Sequence, residues 1–167
     1  MAIKVTKRAF LGGVGVGSGG LLLGLFTARG SEASAETFEL NLPRDEWRRR
    51  LSAEQFRVLR EEGTERPRSS PLNSEHRAGT FQCAGCRLPV FRSQDKFESG
   101  TGWPSFTRAI AANVRTKQDN SLFSSRTEVH CRRCGGHLGH VFDDGPQPTG
   151  QRWCMNGVAM RFVPTRA

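Results

Sequence analysis

Near the C-terminus the chain reads GQRWCMN over residues 150–156, and Cys154 is the one of five cysteines that stands outside a C-x-x-C pair. A thiolate is both a nucleophile and a redox centre. An unpaired cysteine is therefore a packing residue, a spare metal ligand or a reagent. The other four form Cys83-Ala-Gly-Cys86 and Cys131-Arg-Arg-Cys134, the second followed by two glycines. Two residues between cysteines let both sulfurs turn toward one tetrahedral ion, while amides of the turn point at the thiolates. Two such knuckles predict a single structural Zn²⁺ on Cys83, Cys86, Cys131 and Cys134. The same spacing also suits two disulfides or a redox-active C-x-x-C. Residues 87–130 separate the knuckles, more than in a compact zinc ribbon, so the ion would clip two distant hairpins together.

His137 and His140 follow the second knuckle three residues apart. Four thiolates already saturate the ion, so a histidine in this loop is free to give and take protons; a solvated or core histidine is the plainer reading. Trp103 lies in SGTGWPSF, after two glycines and before Pro104. Such a turn holds an indole in a fixed orientation, although a lone tryptophan is more often core.

The elements that position these groups fall into two textures. Pro43 opens a helical stretch with Trp47 and Leu51 four apart, and Ser52-Ala-Glu-Gln55 is a capping box that restarts it. Phe56 and Leu59 continue the apolar stripe, and Gly63 stands where a helix would end. Core packing explains the stripe, and a partner-binding face is the alternative. From Gly79 the pattern changes to short alternating segments: TFQC, LPVF, WPSFT, NVRTK, SLFSS, TEVHC, HVF, QRWCM and VAMRFV, with SGTG and GPQPTG as turns. This predicts an antiparallel β domain with helices confined to its start. Its core is small enough for a zinc staple to matter.

Residues 1–35 read differently. A basic pair, Lys7-Arg8, precedes a charge-free run from Gly12 to Ala28, and Ala33-Ser-Ala35 offers a small-residue cleavage site. This is the three-part pattern of an export signal, too weakly apolar for a convincing permanent span. The pair before Ala9-Phe10-Leu11 resembles the twin-arginine signal, with Lys7 where its first arginine usually stands. The expectation is an exported, periplasmic protein with residues 1–35 removed and residues 36–167 as one domain; an uncleaved signal would leave a membrane anchor. The chain carries a formal charge of +9, three units of which belong to residues 1–35. The arginines that remain are mixed with acids along the chain, which argues against a nucleic-acid partner.

Longer motifs carry a resemblance. GTE at residues 63–65, FRSQDKFESGTGWPSF at 91–106, RTEV at 126–129, CGGHLGHVFDDGPQPTG at 134–150 and RWCMN at 152–156 closely resemble the B type of the methionine-R-sulfoxide reductase family. The resemblance runs from about Leu51 to Pro164. It implies a mainly β fold, two antiparallel sheets packed across each other with short N-terminal helices, and a structural zinc site away from the pocket. It implies reduction of methionine-R-sulfoxide in proteins or peptides, by a chain expected to act as a monomer.

The chemistry that such a reaction needs is present. Cys154 would attack the sulfoxide sulfur and become a sulfenic acid. His137 and His140 would bind and protonate the developing oxyanion, with Asn156 orienting them. Trp103 would face the S-methyl group. Arg152, two residues before the cysteine, should share its strand face and help to bind substrate, where a cation also favours the thiolate. Many members of the family carry a resolving cysteine before the tryptophan, where this chain has Thr101. With four thiols on zinc, none remains to resolve the sulfenic acid. A thioredoxin-like protein or a small thiol must do so from outside.

Overall fold

The computed structural model describes residues 36–120 and 125–166. The expected export signal, and most of the SLFSS segment, lie outside the described residues. Among the described residues no helix is long and apolar enough to cross a membrane.

Two short helices open the domain, α1 (Arg44–Arg50) and α2 (Ala53–Glu61). The capping box closes as the sequence predicts: Ser52 Oγ accepts the Gln55 amide at 3.2 Å, and Gln55 Oε1 accepts the Ser52 amide at 3.1 Å. Two otherwise orphaned donors are thereby satisfied. Trp47, Phe56, Val58 and Leu59 are the buried stripe, so these residues are core. The helix ends one residue earlier than Gly63 suggests. Glu62 takes the left-handed conformation, and the N–H groups of Glu62 and Gly63 both turn back on the Arg57 carbonyl.

Among the described residues nine strands follow, in two antiparallel sheets. A three-stranded sheet has the order β2-β1-β9, from β1 (Gly79–Cys83), β2 (Pro89–Arg92) and β9 (Met160–Pro164). A six-stranded sheet comprises β3 (Lys96–Phe97), β4 (Ser105–Phe106), β5 (Val114–Asp119), β6 (Arg126–Cys131), β7 (His137–Phe142) and β8 (Arg152–Met155). Its order is β3-β4-β8-β7-β6-β5. The core between the sheets is aromatic. Phe106 stacks on Phe91 at 4.4 Å and meets Phe81 edge-on at 4.9 Å, so one ring of the larger sheet touches two strands of the smaller.

Four strands differ from the sequence reading. WPSFT shrinks to Ser105–Phe106, and Lys96–Phe97 adds a two-residue strand too short to show a period. VAMRFV starts only at Met160, because Gly157–Ala159 form a 3₁₀ turn. Most consequential is β7, which starts at His137, three residues before the expected HVF segment, and so places both histidines on one strand.

Candidate active site and metal centre

Side chains three apart on a regular strand point to opposite faces. His137 and His140 nevertheless face each other, their ring centroids 5.3 Å apart. The cause lies in the ladder between β6 and β7. Val129 pairs with Gly139 and His130 with His137, leaving Leu138 as an extra residue on β7. This bulge shifts the alternation by one position and brings the two imidazoles to the same side.

Cys154 stands opposite His140 across the β7–β8 ladder. The neighbouring pair, Gly139 and Met155, explains the glycine: a Cβ at residue 139 would lie 2.2 Å from the Cys154 carbonyl oxygen. Cys154, His140, Asn156 and Trp103 line one cavity of about 140 Å³, together with Thr64, Arg126, Gly139, Phe142 and Met155. Four of the residues singled out in the sequence are thus brought together. The pocket has an apolar wall of Trp103, Phe142 and Met155 beside the thiol and the imidazole.

His137 does not line this cavity; it stands behind His140. Its Nδ1 is 2.8 Å from Glu128 Oε1, while His140 Nε2 is 2.8 Å from Asp119 Oδ2. A carboxylate only accepts, so each of these nitrogens carries the proton. Burial pushes the His137 imidazole down to about 4 and also lowers His140, despite the Asp119 hydrogen bond that favours its cation. Both rings are therefore neutral at physiological pH, and each offers its other nitrogen as an acceptor. His140 is thus suited to hold a water or a protonated oxygen.

Asn156 is buried and ties chain segments together. Its Oδ1 accepts the Glu65 amide at 2.9 Å, and its Nδ2 donates to the Leu138 carbonyl at 3.2 Å, on the extra residue of the bulge. Glu65, only 3 % exposed, is a node that sequence reasoning missed. Its carboxylate accepts the N–H groups of Gly157 at 2.7 Å and Val158 at 2.8 Å, and its carbonyl accepts the Trp103 indole N–H at 3.2 Å. Burial raises its pKa, and the two backbone donors pull the other way. The only sequence signal was its place in the GTE motif.

Arg152 lies beside the pocket. Its guanidinium stacks on Phe142 at 4.4 Å and donates twice to Asp144, each bond 2.8 Å long. The Asp144 hydrogen bond raises its pKa most; charge interaction with Cys154 adds a smaller contribution in the same direction. The arginine thus props an aromatic wall while remaining within electrostatic reach of the nucleophile.

The four paired cysteines converge elsewhere. Cys83, Cys86, Cys131 and Cys134 have sulfurs all within 4.8 Å of one another, and none forms a disulfide. The contacts Cys83–Cys134 at 3.7 Å and Cys86–Cys131 at 3.4 Å approach the edge, about 3.8 Å, of a tetrahedron with Zn–S arms of about 2.3 Å. Neighbouring sulfurs, led by Cys131, and burial push the Cys83 thiol up, so thiolates this crowded require a cation. The donor set fits Zn²⁺, one per chain. Arg60 supports it from outside, donating to the Cys134 carbonyl at 2.8 Å and its sulfur at 3.6 Å. No knuckle cysteine lines the pocket of Cys154.

Known proteins agree with this arrangement. The SelR domain family matches residues 51–164. The peptide methionine sulfoxide reductase MsrB of Methanosarcina barkeri is 53% identical over 119 residues, 71% of this chain and 84% of that protein. That of Bradyrhizobium diazoefficiens is 53% identical over 121 residues, 72% of this chain and 87% of its own. The human mitochondrial methionine-R-sulfoxide reductase B2 is 44% identical over 168 residues, 96% of this chain and 90% of its own. With the two knuckles, the bulged histidine strand and Cys154 all inside the matched span, the chain belongs to the SelR family, the methionine-R-sulfoxide reductases of the B type.

Proposed function

We propose that the chain reduces methionine-R-sulfoxide to methionine, in proteins or as the free amino acid, and so repairs oxidised proteins. One observation carries the reading: a single non-zinc thiol opens into a small cavity that is apolar on one side and bears a neutral imidazole on the other. Trp103 receives the S-methyl group, its ring held by the Glu65 carbonyl. The Cys154 thiolate attacks the sulfoxide sulfur. The oxygen leaves on Cys154 as a sulfenic acid, methionine departs, and the one proton consumed reaches that oxygen from solvent through a water held on the acceptor nitrogen of His140. His137 and Asn156 act through other groups, the first by backing His140 and the second by holding the bulge. Zn²⁺ supplies no chemistry to these steps; it staples β1 to β6.

Regeneration takes two external thiols. The first condenses with Cys154–SOH to give a mixed disulfide and water; the second releases Cys154 and carries away the new disulfide. A thioredoxin-like protein or a small thiol is the donor. The basic pair and apolar run of residues 1–35 support export to the periplasm, where the domain acts as a monomer.

Stereospecific turnover tests the reading. Residues 36–167, with a dithiol donor, should reduce the R epimer and not the S, and Cys154→Ser should abolish this while retaining one zinc. Activity on the S epimer alone, or full activity in Cys154→Ser, overturns it.

A further inference from the structure

A row of hydroxyl groups leads away from Cys154. Thr101 Oγ1 lies 3.8 Å from the Cys154 sulfur and 2.8 Å from Ser99 Oγ. Ser99 Oγ lies 2.7 Å from Ser105 Oγ, and Ser105 Oγ donates to the Trp103 carbonyl at 3.1 Å. Each hydroxyl has one proton, and a carbonyl has none. The direction of the row follows. Ser105 gives its proton to Trp103 and accepts from Ser99; Ser99 then accepts from Thr101, and Thr101 from the Cys154 S–H. The Thr101 amide also points at Ser99 Oγ, at 3.4 Å, as it should if that oxygen is an acceptor.

Ionising Cys154 removes the first donor, and the row can no longer run that way. A thiolate only accepts. Thr101 turns its O–H to the sulfur, Ser99 turns to Thr101, and Ser105 turns to Ser99. The three contacts among Cys154, Thr101, Ser99 and Ser105 then run in reverse, and the Trp103 carbonyl gives up the Ser105 hydrogen bond. Both ends of the row are fixed by backbone. Ser105 is fully buried and pairs with Cys154 in the β4–β8 ladder, and the Met155 amide donates to Pro104 at 2.9 Å. The turn carrying Thr101 is pressed against the segment before it: Gly102 has φ 94°, and a Cβ there would lie 2.9 Å from the Pro67 side chain.

We infer that Thr101, Ser99 and Ser105 form a hydrogen-bonded chain that reverses direction when Cys154 ionises, presenting the Thr101 O–H to the thiolate. Thr101 touches the reacting sulfur and is a catalytic residue; Ser99 and Ser105 position its proton. The place of this chain in a sulfoxide cycle rests on the proposed function, but the reactivity of the thiol does not.

Alkylation of Cys154 by iodoacetamide therefore tests it, followed in the zinc-loaded protein by peptide mass mapping over a range of pH. A hydrogen bond to a charged group is worth at least about 1.4 kcal/mol, a factor of about ten. Thr101→Val should cut the thiolate fraction about tenfold near neutral pH and slow alkylation about threefold, because the unbonded thiolate is the stronger nucleophile, with the order inverting in alkali. Thr101→Ser should restore the rate, since it returns the hydroxyl without the methyl group. Ser105→Ala should fall between the two. Wild-type reactivity in Thr101→Val, or no rescue by Thr101→Ser, overturns the inference; wild-type reactivity in Ser105→Ala overturns the chain beyond Thr101. Failure of the wild type to reduce sulfoxide would sink the proposed function and leave this measurement standing.

Discussion

Protonation of His137 should by itself destabilise the fold by about 2 kcal/mol between about pH 7 and about pH 5. Its imidazole is 2 % exposed, and burial pushes it from 6.5 down to about 4. Charges of both signs surround it. Glu128, Glu62 and Asp119 favour the cation, while Lys117 and Arg126 oppose it, and Lys117 lies 2.9 Å from the same Glu128 carboxylate. Desolvation, the largest effect, decides. A folded pKa below the unfolded one means that the stabilising contribution is complete above about 6.5 and is lost as pH falls toward about 4. The full shift corresponds to about 3 kcal/mol, of which about 2 is gone by about pH 5. The assay is urea unfolding of the zinc-loaded protein at both pH values, for wild type and His137→Gln. Gln retains a donor for Glu128 and does not titrate, and the zinc thiolates titrate equally in both proteins. Wild type should lose about 2 kcal/mol more than the variant. Equal losses, or a His137 ring resonance that titrates near its ordinary value, would refute the reasoning.

Three further outcomes are expected. Glu65→Ala leaves the Gly157 and Val158 N–H groups without acceptors, at about 1–3 kcal/mol each, so thermal unfolding should show a lower midpoint. Stripping the metal with a strong chelator should abolish the cooperative transition, because the ion joins β1 to β6 and its binding energy is folding energy; calorimetry of the metal-free protein checks this. Thr101→Cys puts a second sulfur where an oxygen now lies 3.8 Å from Cys154, so one equivalent of sulfoxide should leave an intramolecular disulfide, detected by mass, in place of a sulfenic acid or its adduct.

What could be read in the sequence was local. The knuckles, the capping box and the odd cysteine depend on neighbours within a few residues, and each appears where its spacing places it. The facing of His137 and His140 was not legible, because it depends on one unpaired residue in a ladder with β6. Glu65 was seen in a motif but given no role, since its partners, Asn156, Gly157 and Val158, lie about ninety positions away. Arg152 was expected on the face of Cys154, and proximity in sequence could not show that its guanidinium is already engaged by Asp144 and stacked on Phe142. Strand ends failed where tertiary packing, not pattern, decides them, as at Ser105–Phe106.

The cavity beside Cys154, about 140 Å³, is well below the about 300–1,000 Å³ of sites that enclose a whole small ligand. A chamber of that size can inspect only the last few atoms of a side chain. Whatever carries those atoms, whether peptide, exposed loop or free amino acid, stays outside the chamber. Recognition of the lesion is thereby separated from recognition of the molecule that bears it, and one scaffold can serve clients that share nothing but the damage.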